Sequence, residues 1–155
     1  MNFNDIFEEI KNSPDKHPRG CEDYKRIESK LLEVVKKSGF VSGGSGNDNY
    51  GPFGEISLPY FNMGAIDSLD LFGLDEMIIF SFYYNNRNRY KKVSDLGANI
   101  GLHSILMSKS GYQIEAYEPD PKHIEMIEKN FKLNSVDSVN LNQVAVSDVK
   151  HKTKF

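Results

Sequence analysis

One stretch limits the folds open to this chain: residues 92–104, with the sequence KVSDLGANIGLHS. A short apolar run ends in Asp95, turns on two glycines and leads directly into a helical pattern. A second apolar run, residues 112–117, ends in another acid, Glu118. A strand, a glycine turn, a helix and a second acid-tipped strand are typical of one half of an adenosine-cofactor site in an α/β fold.

The second half of the chain alternates strands with helices. Three strands are predicted, over residues 93–96, 112–117 and 139–146. Two helices are predicted between them, over residues 101–110 and 120–134. The second helix has the clearer start, because Asp120 as N-cap is followed by Pro121 at the first helical position. This alternation predicts a Rossmann-like, doubly wound parallel sheet.

The first half predicts an N-terminal helical preface. Helices are predicted over residues 4–11, from residue 22 to Gly39, and over residues 75–87, with a short strand over residues 55–63. Asn4 and Asp75 are the expected N-caps of the first and third helices, and Gly39 is the expected C-cap of the second. The third helix is apolar almost all round, so it is expected to be largely buried.

Residues 42–54 are rich in glycine, serine and asparagine, with glycines at positions 43, 44, 46, 51 and 54. This composition predicts a mobile segment. It could serve as a lid or substrate loop, or as a linker between the preface and the main domain, and composition favours the linker. The predicted division is therefore residues 1–54, the preface and its loop, and residues 55–155, the first half of the main domain.

Composition excludes several classes of protein. The 155 residues, 39% hydrophobic and 26% charged, are ordinary for one globular domain. The net charge of -3, with lysine and arginine scattered among acids, gives no basis for nucleic-acid binding. Apolar runs such as residues 77–80 are too short to span a membrane, and the N-terminus has no secretory pattern. Cys21 is the only cysteine, so neither a disulfide framework nor a cysteine metal site is expected, and a cytoplasmic location is the default.

The turn has features that suit a cofactor. Where a strand's carboxyl end meets a helix's amino end, backbone N–H groups are expected to be free for a ligand. Gly97 and Gly101 permit close approach and positive φ. Asp95 can neutralise a positively charged ligand group, and Glu118 can accept hydrogen bonds from both hydroxyls of a ribose.

Two rival cofactor motifs fail when they are aligned with the turn. A nicotinamide fingerprint, G-x-G-x-x-G, fails from Gly97, where Asn99 and Leu102 occupy the other glycine positions. It also fails from Gly101, and no Gly-Lys-Ser/Thr of a Walker A loop occurs anywhere in the chain. What remains is acid-x-Gly-x-x-x-Gly, with an acid closing the second strand. This pattern resembles the class I S-adenosylmethionine-dependent methyltransferases.

Within that class, four segments resemble the FkbM family. Residues 95–101 (DLGANIG) look like its D-x-G-A-N-x-G turn, and residues 117–121 (YEPDP) look like its E-P-x-P segment. Residues 130–134 (NFKLN) and 144–148 (VAVSD) resemble its N-x-x-L-N and A-V-S-D stretches. The resemblance covers about residues 93–148 and implies S-adenosylmethionine as cofactor.

The resemblance also implies roles for individual residues. Asp95 would face the aminoacyl end of the cofactor, residues 97–101 would wrap it, and Glu118 would hold the ribose. The implied cofactor contacts are Asp95, Gly97, Ala98, Asn99, Ile100, Gly101, Glu118, Pro119, Asp120, Ala145 and Val146. For Asp120, a plain helix cap explains the residue equally well. The implied reaction is O-methyl transfer to a hydroxyl of a sugar or secondary metabolite, a small-molecule acceptor, and no catalytic base or metal is assigned.

The chain is too short to supply every strand of the fold that it resembles. The fold that the chain resembles has seven strands, whereas this chain supplies three, and residues 151–155 are predicted to begin a fourth. The strand that ends in Asp95 should be central, yet here it would be an edge. Either the chain is the N-terminal part of a longer protein, or a second chain or an unusual arrangement of the first ninety residues covers that edge. The alternative function is a non-catalytic cofactor-binding or assembly module, and a nicotinamide oxidoreductase is a weaker third.

Overall fold

A computed structural model describes residues 1–12, 18–63 and 65–148 of the chain. The chain divides into two compact units, Met1–Asn85 and Asn86–Phe155. The division between these units falls after Asn85. The division after Gly54 stays a prediction of the sequence.

The first unit combines helices with a small antiparallel hairpin. Its helices are α1 (Phe3–Lys11), α2 (Glu22–Lys37) and α3 (Leu74–Asn86), and its strands are β1 (Asn47–Asn49) and β2 (Glu55–Ser57). Two 3-10 turns, Gly51–Phe53 and Ser68–Phe72, complete it. The hairpin pairs Asn49 with Glu55, so it spans the boundary that the sequence predicted. β2 ends at Ser57, two residues before Pro59, and is shorter than the predicted strand.

Two of the predicted helix ends need correction. The N-cap of α1 is Asn2 and not Asn4, because Asn2 and Asp5 form a reciprocal capping box. The Asp5 N–H lies 3.2 Å from Asn2 Oδ1, and the Asn2 N–H lies 2.9 Å from Asp5 Oδ2. α2 begins at Glu22 as predicted, but its C-cap is Ser38 in an extended conformation. Glycine is required at Gly39 for another reason: a Cβ there would lie 2.1 Å from the Asn47 carbonyl oxygen.

The predictions for α3 are also partly wrong. Asp75 lies inside the first turn and is not its N-cap, since the helix begins at Leu74. The helix is only partly buried: Met77 and Phe80 are fully buried, whereas Phe82 is 54% exposed. An all-round apolar pattern shows that a helix can be buried but does not say which face is covered.

Residues 42–54 do not form the loose loop that their composition predicted. The segment carries β1 and a 3-10 turn, and the Tyr50 N–H donates to the Gly54 carbonyl at 2.8 Å. Tyr50 is fully buried, with its ring centroid 4.7 Å from that of Phe3 and 5.4 Å from that of Phe72. Aromatic burial orders the segment, a contribution that glycine content alone does not reveal.

The carboxylate of Asp75 gives the first unit an acid-sensitive contact. Its Oδ2 accepts a hydrogen bond from Arg19 Nε at 2.7 Å, and its Oδ1 accepts one from the Tyr24 hydroxyl at 2.8 Å. The Arg19 guanidinium lowers the pKa of Asp75, against an opposing contribution from burial. A lowered folded-state pKa means that this stabilisation is present above the ordinary aspartate pKa and is lost as the pH falls through the folded value.

We therefore expect Asp75→Asn to flatten part of the acid limb of the stability curve. The effect should be at the low end for an ion pair, because the Asp75 side chain is 37% exposed and solvent screens the pair. Chemical unfolding between about pH 2 and 7 measures it. An unchanged slope below about pH 4 in the variant would contradict the assignment.

The second unit is a three-stranded parallel sheet with two crossover helices. Its strands are β3 (Lys92–Leu96), β4 (Gln113–Tyr117) and β5 (Val139–Asn142), and its helices are α4 (Leu102–Lys109) and α5 (Pro121–Leu133). The strand order is β3-β4-β5, with Asp95 opposite Ala116 and Tyr117 opposite Asn142. Within the described ranges β3 is an edge strand, as the sequence predicted.

Both crossover helices cover one face of this sheet. Two successive right-handed crossovers in the same direction place their helices on the same side. On β4, Ile114 and Ala116 are buried while Gln113 and Glu115 are exposed. The second unit is therefore an incomplete Rossmann-like α/β fold, with the helix layer of one face in place.

β5 is shorter than predicted. It ends at Asn142, and Ala145 and Val146 lie beyond it in irregular, exposed chain. The last strand-like contact is from the Glu118 N–H to the Asn142 carbonyl at 3.1 Å. After Glu118 the chain turns into α5 through Pro119, so the adjacent strand offers no further partner. The predicted fourth strand, residues 151–155, lies outside the described residues.

Candidate site at the strand tips

The candidate site lies where β3 and β4 end. The chain leaves β3 after Asp95 and Leu96 and folds over the end of β4. Two N–H groups, those of Gly97 and Ala98, donate to the Tyr117 carbonyl at 2.8 and 3.0 Å. This anchors the glycine turn directly beside the residue that precedes Glu118.

Glu118 is the buried centre of the site, with 6% of its surface exposed. Its Oε2 accepts a hydrogen bond from the Asn99 N–H at 2.8 Å, and its Oε1 accepts one from the Asp120 N–H at 3.0 Å. His123 Nδ1, on the first turn of α5, lies 3.5 Å from Oε1. A carboxylate has about four acceptor positions, so capacity for ligand hydroxyls remains. Through the hydrogen bond from the Asn99 N–H, Glu118 therefore also stabilises the glycine turn. The sequence did not reveal this role.

The turn needs unusual backbone conformations. Gly97 and Gly101 have φ of +79° and +87°, and Asn99, between them, has φ of +54°. Asparagine is among the few side chains that adopt this region readily. Gly101 is also sterically required, because a Cβ there would lie 3.0 Å from Phe131 Cε1 and 3.5 Å from two Ile127 carbons. The same glycine thus shapes the turn and allows α5 to approach it.

The expectation that this turn offers free N–H groups is wrong for most of it. The N–H groups of Gly97 and Ala98 are bound to Tyr117, and that of Asn99 is bound to Glu118. The N–H of Gly101 donates to the Ala98 carbonyl at 2.8 Å. A tight turn satisfies its own donors. Recognition at this site therefore falls mainly to carboxylates and not to a nest of amides.

Asp95 is the second carboxylate of the site and is half-buried. Its Oδ2 accepts a hydrogen bond from the Ser104 hydroxyl at 2.6 Å. Ser104 is fully buried on the first turn of α4. Across the described ranges no lysine, arginine or histidine pairs with Asp95, so its negative charge is available to a cationic ligand group.

Asn130 of α5 supports the turn from behind. It is fully buried, and its Nδ2 donates to the Ile100 carbonyl at 2.8 Å. Its Oδ1, like Asn99 Oδ1, is buried with no hydrogen-bond partner in the described part of the chain. The sequence predicted no role for Asn130, although the residue lies in the NFKLN segment. The available signal was a polar residue between Ile127 and Phe131 on the inner face of a helix, which requires a polar partner inside.

Of the remaining predicted site residues, two lie next to Glu118 and two lie beyond the end of β5. Asp120 is the N-cap of α5, with its Oδ1 2.8 Å from the Lys122 N–H, which bears out the helix-cap interpretation. Pro119 is partly buried between Glu118 and Asp120. Ala145 and Val146 are exposed and lie beyond the end of β5, so the strand that was to carry them does not extend to them.

The described ranges hold neither a cluster of metal ligands nor a membrane-spanning helix. No group of three or more histidine, cysteine, aspartate or glutamate residues there could hold a metal ion. No helix there is both long enough and apolar enough to cross a membrane.

Comparisons with known proteins give distant matches only. No protein-family model matches the chain, and no curated protein matches it. Among solved structures, the chain is similar to an S-adenosylmethionine-dependent methyltransferase from Agrobacterium tumefaciens, with 15% identity, a TM-score of 0.42, and coverage of 44% of this chain and 24% of that one. It is also similar to a protein from Pyrococcus horikoshii named as a transferase, with 18% identity, a TM-score of 0.37, and coverage of 87% and 50%.

The chain thus spans about a quarter of the length of the first protein and half of the length of the second. At these scores the similarity assigns no activity.

Proposed function

We propose that the strand tips of the second unit bind S-adenosylmethionine and that the chain is a class I methyltransferase, in whole or in part. The observation that carries this proposal is the pair of carboxylates at adjacent parallel strand ends, Asp95 and Glu118, joined by a glycine turn. Ligands of open α/β sheets bind at the carboxyl ends of the strands, and a carboxylate at the second strand tip suits a ribose.

The hydrogen bonds of the turn favour this cofactor over a dinucleotide. A pyrophosphate is normally held by free backbone N–H groups at the turn and at the helix N-terminus. Here the N–H groups of Gly97, Ala98 and Asn99 are already bound within the protein. Two carboxylates would repel a phosphate but would attract a ligand with ribose hydroxyls and a positive charge. S-adenosylmethionine, with its sulfonium and ammonium groups, has both.

Within this site each residue has a separate task. The carboxylate oxygens of Glu118 would accept further hydrogen bonds from the ribose hydroxyls. The Asp95 carboxylate would accept one from the ammonium group of the ligand. Residues 97–101 would form the wall against which the cofactor lies. When bound, S-adenosylmethionine supplies an activated methyl group. On the resemblance to the FkbM family, the acceptor is a hydroxyl of a sugar or another small metabolite.

Calorimetric titration tests the proposal. We expect the 155-residue chain to bind S-adenosylmethionine and not NAD. Absence of S-adenosylmethionine binding, or binding that survives both Asp95→Ala and Glu118→Ala, would contradict it. A methyl-transfer assay over hydroxylated small molecules then separates an enzyme from a binding module, since cofactor binding without transfer to any acceptor supports the module.

A further inference from the structure

We propose that Ser104 is a positioning residue that aims the Asp95 carboxylate at the aminoacyl end of the ligand, an inference that rests on the proposed function. In this arrangement the site recognises its ligand in two separable halves. Glu118 serves the nucleoside half, and the Ser104–Asp95 pair serves the aminoacyl half.

The contact between Ser104 and Asp95 is short and sheltered. The Ser104 hydroxyl lies 2.6 Å from Asp95 Oδ2, and Ser104 is fully buried. Hydrogen bonds from a hydroxyl to a carboxylate at this distance are among the stronger ones in proteins. Because the hydroxyl is fixed on the first turn of α4, it holds one carboxylate oxygen and fixes the direction of the other.

The surroundings of Asp95 indicate that this oxygen serves a ligand. Asp95 is half-buried, and no cationic side chain of the described residues pairs with it. A carboxylate that only stabilised the fold would usually be paired with a cation or with several backbone N–H groups. The ammonium group of an α-amino acid is a ligand group that complements a fixed, unpaired carboxylate oxygen.

Two probes separate this role from a general structural one. S-adenosylmethionine carries the aminoacyl group, and 5′-methylthioadenosine lacks it but keeps the adenosine. Ser104→Ala is expected to raise the Kd for S-adenosylmethionine by about tenfold. It should leave the Kd for 5′-methylthioadenosine within about twofold of the parent. The readout is therefore the ratio of the Kd for S-adenosylmethionine to the Kd for 5′-methylthioadenosine. A collapse of the turn would weaken binding of both probes and would leave this ratio unchanged.

Matched variants complete the test. Ser110→Ala also removes a buried hydroxyl from the end of α4, one that donates to the Leu106 carbonyl at 2.8 Å, and it should leave the ratio unchanged. Ser104→Thr keeps the hydroxyl and should restore the ratio. If Ser104→Ala fails to fold, Ser104→Cys keeps the volume with a weaker donor and should change the ratio in the same direction.

The outcomes are distinguishable. A parent chain that binds neither probe contradicts the proposed function. A parent chain that binds both probes, with a ratio unchanged in Ser104→Ala and Ser104→Cys, contradicts the role of Ser104 alone. Equal weakening of both probes assigns Ser104 to the fold and likewise contradicts the inference.

Discussion

Glu118→Ala is expected to weaken S-adenosylmethionine binding by at least about thirtyfold, because removing a buried, hydrogen-bonded charge costs about 2 to 5 kcal/mol. The substitution removes the proposed ribose acceptor. It also leaves the N–H groups of Asn99 and Asp120 without the carboxylate that now accepts from them at 2.8 and 3.0 Å. Both the ligand contact and the shape of the turn are therefore affected. Calorimetric titration of the variant measures the binding loss.

Two further variants isolate the cause. Glu118→Gln keeps one acceptor oxygen and should bind more tightly than Glu118→Ala but less tightly than the parent. Glu115→Ala removes an exposed acid of β4, the strand that precedes Glu118. Its carboxylate accepts hydrogen bonds from Asn140 Nδ2 at 2.7 Å and from Asn142 Nδ2 at 3.4 Å. This variant should bind like the parent. Equal losses in Glu118→Ala and Glu115→Ala would indicate a general effect of charge and would contradict a specific role for Glu118.

Gly101→Ala is expected to destabilise the second unit by about 2 to 3 kcal/mol, the sum of a left-handed backbone penalty and moderate overpacking. The backbone at this position has φ of +87°, and the new Cβ would lie 3.0 Å from Phe131 Cε1. Relieving that contact requires α5 to move away from the turn, and α5 also holds the Ile100 carbonyl through Asn130. Thermal unfolding should show a fall in Tm of about 5 to 10 °C.

Two other glycines provide controls with the same backbone penalty. Gly111 has φ of +90° and Gly97 has φ of +79°, and a Cβ at either would meet nothing within 4 Å. Gly111→Ala should therefore lower Tm by less than Gly101→Ala and leave ligand binding intact. Gly97→Ala should lower Tm by a similar amount to Gly111→Ala but weaken S-adenosylmethionine binding, because it narrows the approach to the turn. If all three variants lose the same stability, α5 is not in close contact with Gly101.

The second unit could be predicted from the sequence because its signals are local. A proline after an aspartate starts α5 at Pro121, and glycine in the left-handed region follows α4 at Gly111. Alternation of strands and helices then indicates a parallel sheet. The edge position of β3 followed from the strand order of the fold that the sequence resembles. The end of β5 could not be predicted, since it depends on where the neighbouring chain turns at Pro119 and not on the apolar character of Val144 and Val146.

The first unit was harder to predict because its order comes from contacts distant in sequence. The segment around Tyr50 has a loop-like composition, yet burial of that ring among Phe3 and Phe72 orders it. The sequence predicted Asp75 as a helix cap, whereas its carboxylate accepts hydrogen bonds from Arg19 and Tyr24, which are distant in sequence.

At the candidate site, the sequence predicted both acids and both glycines of the turn, and the structure brings these residues together. It did not reveal Ser104 or Asn130, whose roles depend on packing between elements.

The central claim is that the strand tips hold an adenosine cofactor, and amide chemical shifts measured during titration with S-adenosylmethionine test it most directly. A ¹⁵N-labelled chain should show saturable shifts at Gly97, Asn99 and Glu118, with residues of the first unit, such as Tyr50, unmoved. Saturable binding whose shifts lie outside the turn and the β4 tip, or no shifts at millimolar ligand, would contradict the claim.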